Sequence, residues 1–342
     1  MQKEIVEKLE QRLGRAHARQ RLGIERDHED VFGHGINFFH PENWYSTHSI
    51  LRVALKLTGL YGRGHKNTER IQVRHNVIDL AGLPALFDGF RILHITDMHA
   101  DLNPGPMQRL LEILPDLRYD ICAMTGDFRG QTFGSFEPTL DCLATVRNQL
   151  HSPIYAVFGN QDTIRMLPEI EAMGIRMLLN ECETIVRGDQ HIHLAGVDDA
   201  HYYRADNIEK AASGIPHGEV SILLSHTPEI YRQAAQAGFQ VMLSGHTHGG
   251  QICLPGSVPF TLDSVLPRRM AAGPWKYGAM TGYTSVGVGS SIVPVRLNCL
   301  PEITLHHLKH AQSPHTPSNG AAHEDGTFRT CATNVLHPGK GP

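Results

Sequence analysis

The spacing of apolar positions divides the chain into an amphipathic beginning, a long alternation of short apolar runs with helical windows, and a polar end. Residues 2–22 are charged and helix-forming. Ile5, Leu9 and Leu13 fall at i, i+4 and i+8, a narrow stripe that predicts a helix docked on a domain surface. An irregular arm rich in aromatics, Gly and Pro follows. Residues 50–61 are then apolar on most of their circumference and flanked by Arg52, Lys56, Arg63 and Lys66. Two readings fit this stretch: a helix packed on the core, or an interfacial helix that inserts apolar residues at a membrane while its basic ones meet anionic headgroups.

From residue 73 the period changes. Residues 72–80 partly alternate, as a half-exposed strand does. The apolar runs 91–96, 119–125, 153–158, 176–179, 191–197, 220–224 and 239–243 predict strands. The windows 107–117, 138–150, 163–173 and 229–237 predict helices, the last opened by Pro228 in its first turn. Further strands are expected at 283–288, 295–297 and 302–308. Strands alternating with helices, then a β-rich ending, predict an α/β sandwich with mixed sheets. Residues 311–342 are dominated by Pro, His, Ser, Thr, Gly and Asn, bury too little to offset ordering, and are expected to be a disordered tail. The expected organisation is an N-terminal helical and irregular arm (1–72), one large domain (73–310) and that tail (311–342).

Composition changes this picture in two ways. The formal net charge of −4 supplies no basic field, so nucleic acid is not an expected partner. The six cysteines are scattered with no CxxC pair. That suits free thiols in a reducing compartment, although wide spacing also permits bridges. No basic-then-apolar leader and no apolar run of membrane-spanning length are seen. The expected location is cytoplasmic, with peripheral contact at the inner membrane face if 50–61 is interfacial.

Candidate chemistry sits at the ends of the predicted strands. The run 91–96 is followed by Asp97-Met98-His99, 119–125 by Gly126-Asp127, and 153–158 by Gly159-Asn160-Gln161-Asp162. The run 220–224 is followed by Ser225-His226, and 239–243 by Ser244-Gly245-His246-Thr247-His248. Taken singly, an Asp after a strand is usually a cap and a Gly-Asn usually a turn. Together they bring seven oxygen and imidazole donors to strand ends, where α/β sheets gather ligands. Seven such groups suit two divalent ions sharing one carboxylate. The absence of cysteine among them disfavours a thiolate zinc site and suits Mn²⁺, Fe or Zn²⁺.

In order, Asp97-x-His99, Gly126-Asp127, Gly159-Asn160-x-Asp162, His226 and Gly245-His246-x-His248 resemble the five motifs of calcineurin-like metallophosphoesterases. The resemblance covers roughly residues 91–248. Gly249-Gly250-Gln251 and the segments 294–298 and 301–303 are similar to its bacterial YaeI/YkuE-like branch, which includes phosphodiesterases and the chlamydial-type UDP-2,3-diacylglucosamine pyrophosphatase.

The resemblance implies an α/β/β/α sandwich of two mixed sheets flanked by helices, with 73–310 as the catalytic domain. It implies one metal held by Asp97, His99, His248 and a bridging Asp127, and a second held by Asp127, Asn160, His226 and His246. Two cations, Mn²⁺ foremost, would activate a bridging hydroxide for in-line attack on phosphorus. The implied reaction is hydrolysis of a phosphodiester or pyrophosphate, small or lipid-linked, such as UDP-2,3-diacylglucosamine.

Asn160, Gln161 and Asp162 form the expected catalytic loop. Asn160 adds a ligand without adding charge, and Asp162 is expected to orient its neighbours. Gln161 stands where the family usually has His; it has no proton to lose near neutral pH but can donate a hydrogen bond to a phosphoryl oxygen. That departure motivates the alternative of a non-catalytic scaffold retaining the fold. Arg129, just beyond Asp127, is either a phosphate-binding guanidinium or a plain surface arginine.

Overall fold

The computed structural model describes residues 2–32, 45–151 and 153–311. The expected disordered tail beyond 311 and most of the aromatic arm lie outside the described residues. Two helices expected to be single are each divided at a glycine. Residues 2–22 become α1 (Gln2–Leu13) and α2 (Arg15–Phe32), parted at Gly14 with φ +84°. The 50–61 stretch becomes α3 (Tyr45–Leu57) and α4 (Leu60–Asn67), parted at Gly59 with φ +71°. Glycine alone enters that left-handed region without a Cβ penalty, so it ends a helix where another residue would continue it.

The core then alternates as expected: β1 (Gln72–Leu80), β2 (Arg91–Ile95), α5 (Pro104–Ile113), β3 (Ile121–Met124), α6 (Glu137–Arg147), β4 (Ile154–Ala156), α7 (Leu167–Ala172) and β5 (Ile175–Met177). After β6 (Glu181–Arg187) and β7 (Gln190–Gly196) come α8 (Ile208–Ala212), β8 (Ser221–Leu224), α9 (Tyr231–Gln236) and β9 (Val241–Ser244). A ribbon of β10 (Cys253–Leu254) and β11 (Val258–Pro259), then β12 (Gly273–Tyr277), β13 (Met280–Thr284) and β14 (Glu302–His310), close the fold.

One sheet has the order β1-β14-β2-β3-β4-β5 and the other β12-β13-β9-β8-β7-β6; both mix parallel and antiparallel pairs. Alternate residues of each strand serve opposite faces. Ile92 of β2 joins Ile121, Leu194, Ile222 and Leu243 between the sheets. Leu93 and Ile95 point outward to Leu110 of α5, Leu143 of α6 and Ile170 of α7. On the far side Leu223 and Met242 meet Ala211 of α8 and Ala234 of α9. The result is the expected α/β/β/α sandwich.

Two details depart from the pattern reading. Residues 295–297 are not a strand, because the Arg296 N–H donates to Gly64 O of α4 (2.9 Å) and the segment serves as a seat for that helix. Residues 285–289 leave β13 early, because the Val288 and Gly289 N–H groups bond to the Thr96 and Asp97 carbonyls (3.0 and 2.7 Å). The N-terminal helices reach further inside than a surface stripe suggests: Leu9 and Ala18 are fully buried in the outer core. On α3, Leu55 packs on Val293, Val295 and Leu297, while Ile50, Val53 and Leu57 are exposed. No described helix is long and apolar enough to cross a membrane.

Candidate metal centre

The carboxyl ends of β2, β3 and β4 in one sheet meet those of β8 and β9 in the other. The candidate residues occupy the loops leaving these five ends, so both sheets build the site. Cross-sheet bonds fix the junction. His226 Nδ1 lies 2.7 Å from Thr125 O, and the His246 N–H donates to Asp97 Oδ1 and Oδ2 (3.2 and 3.1 Å). All seven donors predicted from sequence are buried.

The structure brings them together. His99 Nε2 lies 2.9 Å from His248 Nε2, and His248 Nε2 lies 3.5 Å from Asp97 Oδ1. Asp127 Oδ2 stands between two imidazoles, 3.8 Å from His99 Nε2 and 3.4 Å from His226 Nε2. Asn160 Oδ1 is 2.9 Å from both His226 Nε2 and His246 Nδ1. Two groups of ligand atoms converge, Asp97–His99–His248 and Asp97–Asp127–His226, so Asp97 is within reach of both.

The backbone is bent to achieve this. Asp97, His99, Asp127, His246 and His248 all have positive φ, between 43° and 71°. Non-glycine residues rarely enter this region, at a cost of order 1–3 kcal/mol each, and such strain clusters at functional sites. Neighbouring glycines make room: a Cβ on Gly159 would strike the Asp127 carboxylate, and one on Gly245 would strike Thr96 and Asp97.

Electrostatics show what kind of ligand the donors suit. Burial, reinforced by Asp127, pushes the Asp97 carboxyl above its ordinary value. Burial also opposes charge on Asp127, but His226 and His99 outweigh it and hold that carboxyl at about 2. His226 is correspondingly raised to about 10 against the effect of burial, chiefly by Asp127. No lysine or arginine among the described residues forms an ion pair with either carboxylate; histidines alone do so. Buried carboxylates with imidazoles and one amide oxygen, and no thiol, are a donor set that fits hard or borderline divalent cations.

The loop after β4 has a structural grip on its neighbours. Asp162 accepts N–H bonds from Gly159 (2.9 Å), Phe128 (3.0 Å) and Arg129 (3.3 Å), clamping two donor loops together. Burial, with Asp127 adding, raises its carboxyl to about 7. The Gln161 N–H donates to Asp127 Oδ1 (2.9 Å), while its side-chain oxygen accepts from the Thr132 hydroxyl.

Other neighbours were not among the donors predicted from sequence. His201, after β7, packs its ring 4.3 Å from that of His246 and bonds Glu229 through Nδ1 (2.8 Å). Burial opposes its charge, but Glu229 prevails and holds it above the usual histidine value. Arg296 is fully buried. It donates to His248 O (3.2 Å), Val286 O (2.7 Å) and Gly289 O, and its Nη2 lies 3.1 Å from His248 Nδ1. The sequence offers its segment only as a short strand within a family-like ending, with no signal for this role. Arg21 of α2, far from every motif, donates to Asp162 O (3.1 Å).

Comparison with known proteins agrees with this geometry. Residues 90–250 match the family model for calcineurin-like phosphoesterases. The chain is 29% identical to the uncharacterized metallophosphoesterase YkoQ of Bacillus subtilis, over 72% of this chain and 93% of that protein. It is 27% identical to the phosphodiesterase YaeI of Escherichia coli, over 64% of this chain and 82% of that protein. It is 26% identical to the uncharacterized metallophosphoesterase YkuE of B. subtilis, over 75% and 92%. Residues 90–250 thus match the calcineurin-like phosphoesterase model, and the relatives that align across this segment carry the names metallophosphoesterase and phosphodiesterase.

Proposed function

We propose that the protein hydrolyses a phosphodiester or pyrophosphate at a binuclear divalent-cation centre. The observation that carries this is the set of seven buried donors, with two carboxylates that no described lysine or arginine neutralises. Asp97, His99 and His248 would hold one ion, and Asn160, His226 and His246 the other, with Asp127 between them. Mn²⁺ is the first choice, with Fe or Zn²⁺ next. When bound, the ions polarise the phosphoryl group and make water a usable nucleophile near neutral pH.

The chain's own residues do the rest. The Asp162 clamp fixes the Asp127 and Asn160 loops relative to each other. Gln161 borders Asp127 with a side-chain amide that can donate to a phosphoryl oxygen but cannot protonate a leaving group. The reading therefore favours substrates whose leaving group departs readily, such as nucleotides or phosphorylated sugars.

A nucleotide-linked lipid such as UDP-2,3-diacylglucosamine fits a second feature. The exposed apolar residues Ile50, Val53 and Leu57 share α3 with Arg52 and Lys56, the composition of a surface that rests on anionic lipid. In this reading the enzyme works peripherally at a membrane face.

The test is turnover of bis-p-nitrophenyl phosphate by Mn²⁺-supplemented protein, with metal content measured alongside. Asp127→Ala and His248→Ala should each cost more than the roughly 10–100-fold typical of losing an outer-shell partner, and should lower bound metal. Activity indifferent to both removes the reading in favour of a scaffold. For the lipid, release of UMP and the lipid 1-phosphate supports the assignment, and cleavage of soluble diesters alone counts against it. Flotation with anionic vesicles should fall when Ile50, Val53 and Leu57 are replaced by Ser; unchanged flotation removes the membrane contact.

A further inference from the structure

Near the metal centre a small half-open cleft lies between α2 and the loops that follow β3 and β4. Glu25, Glu29, Arg129, Thr132, Thr163 and Arg165 contribute to its lining. Arg129 is not the surface arginine that the sequence allowed: its side chain belongs to a residue only 1% exposed. Yet its guanidinium makes no ion pair among the described residues. Its Nε is buried without a hydrogen-bond partner, and Nη2 donates one long bond to Gly134 O (3.3 Å). An arginine is always charged, and burying that charge unpaired is costly. The glutamates on the α2 wall do not neutralise it. Glu25 is committed to Arg21 (2.6 Å), the Thr163 hydroxyl (2.6 Å) and the Ile164 N–H (2.7 Å), and Glu29 forms no ion pair with Arg129.

The cleft is joined to the donors through Gln161 and the Arg129 backbone. The Thr132 hydroxyl donates to Gln161, whose N–H donates to Asp127. The Arg129 carbonyl lies 3.0 Å from His99 Nδ1.

We propose that Arg129 receives a second anionic group of the substrate, a phosphate or a carboxylate a few bonds from the scissile phosphoester. The proposal rests on the phosphoester hydrolase reading and narrows it to substrates with two anionic centres, as in a pyrophosphate, over singly charged diesters. The planar fork of arginine suits both oxyanions.

The test uses Mn²⁺-loaded full-length protein and three p-nitrophenyl phosphodiesters whose second alcohol is methyl, phosphoethyl or carboxyethyl. The wild type should favour at least one anionic tail over methyl by about ten- to a hundredfold in kcat/KM, mainly through KM, as expected for one charge-assisted pair. The preferred tail distinguishes phosphate from carboxylate. Arg129→Gln should bring the ratio close to one, and Arg129→Lys should retain part of it.

Because the ratio cancels general damage, a partly disabled variant still reports. A flat ratio in the wild type, or a preference that survives Arg129→Gln, overturns the subsite alone. No turnover of any ester by the wild type removes the hydrolase reading and the subsite with it. As a readout apart from turnover, inorganic phosphate titrated calorimetrically into the metal-free chain should bind at least about tenfold more weakly to Arg129→Gln; equal binding overturns the proposal.

Discussion

Arg21 offers the sharpest test of how the N-terminal helices serve the site. Its guanidinium is fully buried and works in three directions: Nη1 to Glu25 (2.6 Å), Nη2 to Asp162 O (3.1 Å) and Nε to Asp198 Oδ1 (3.4 Å). The ring of Tyr203 lies 3.3 Å beneath it. Hydrogen bonds to charged groups contribute about 1.5–3 kcal/mol each, so three amount to roughly 5–9 kcal/mol before relaxation. Removing one partner of a buried ion pair typically costs about 3–5 kcal/mol, because the other charge is left uncompensated.

Arg21→Met keeps the bulk and should therefore lose about 3–5 kcal/mol, a large fraction of a normal domain's stability. Urea unfolding near neutral pH measures it. Asp198→Asn added to Arg21→Met should restore part of the loss, since it removes one stranded carboxylate. Turnover by the metal-loaded variant should also fall, because the loop carrying Asn160 and Asp162 loses its anchor. A loss below about 1 kcal/mol would refute the claim that this network, rather than apolar packing alone, joins α2 to the domain.

Three further outcomes follow from the same structure. Gly245→Ala would drive a Cβ into Thr96 and the Asp97 carboxylate. It should cost about 1–3 kcal/mol as overpacking and lower metal content in the purified protein, and full metal occupancy would count against it. Chelation should reduce the melting temperature, since a ligand at about a thousand times its Kd stabilises by roughly 4 kcal/mol; an unshifted melt would argue that the donors hold no ion.

His94, fully buried between the sheets beside Thr125 and His306, is held by burial at about 3. Its folded value lies below that of the unfolded chain, so the unfolded state takes up the proton first as pH falls. The associated stability is complete above about pH 6.5 and is lost toward about pH 3, at about 1.4 kcal/mol per pH unit. Urea midpoints at about pH 7.5 and about pH 5 should converge in His94→Gln, and an unchanged difference would exclude this histidine as the cause.

The pattern of the chain determined most of the central strands, their alternation with helices and the seven donors, because strand periodicity and strand-end chemistry are local. Asp97, His99, Asp127, Asn160, His226, His246 and His248 are legible since each directly follows an apolar run. Gln161 and Asp162 come with them. Only the tertiary structure decided which strand ends meet, since bonds such as that between His226 and Thr125 O join the two sheets across 101 positions of chain.

The same holds for the supporting groups. Arg21, His201 and Arg296 lie on segments whose local pattern says helix face, loop or strand. Their importance comes from which distant carbonyl or carboxylate they meet. Arg129 makes the point most clearly: its residue type announced an anion partner, but whether it was solvated or buried without an ion-pair partner depended on the assembled fold. Burial is a property of the assembled chain, and the cost of an unpaired charge exists only once water has been excluded.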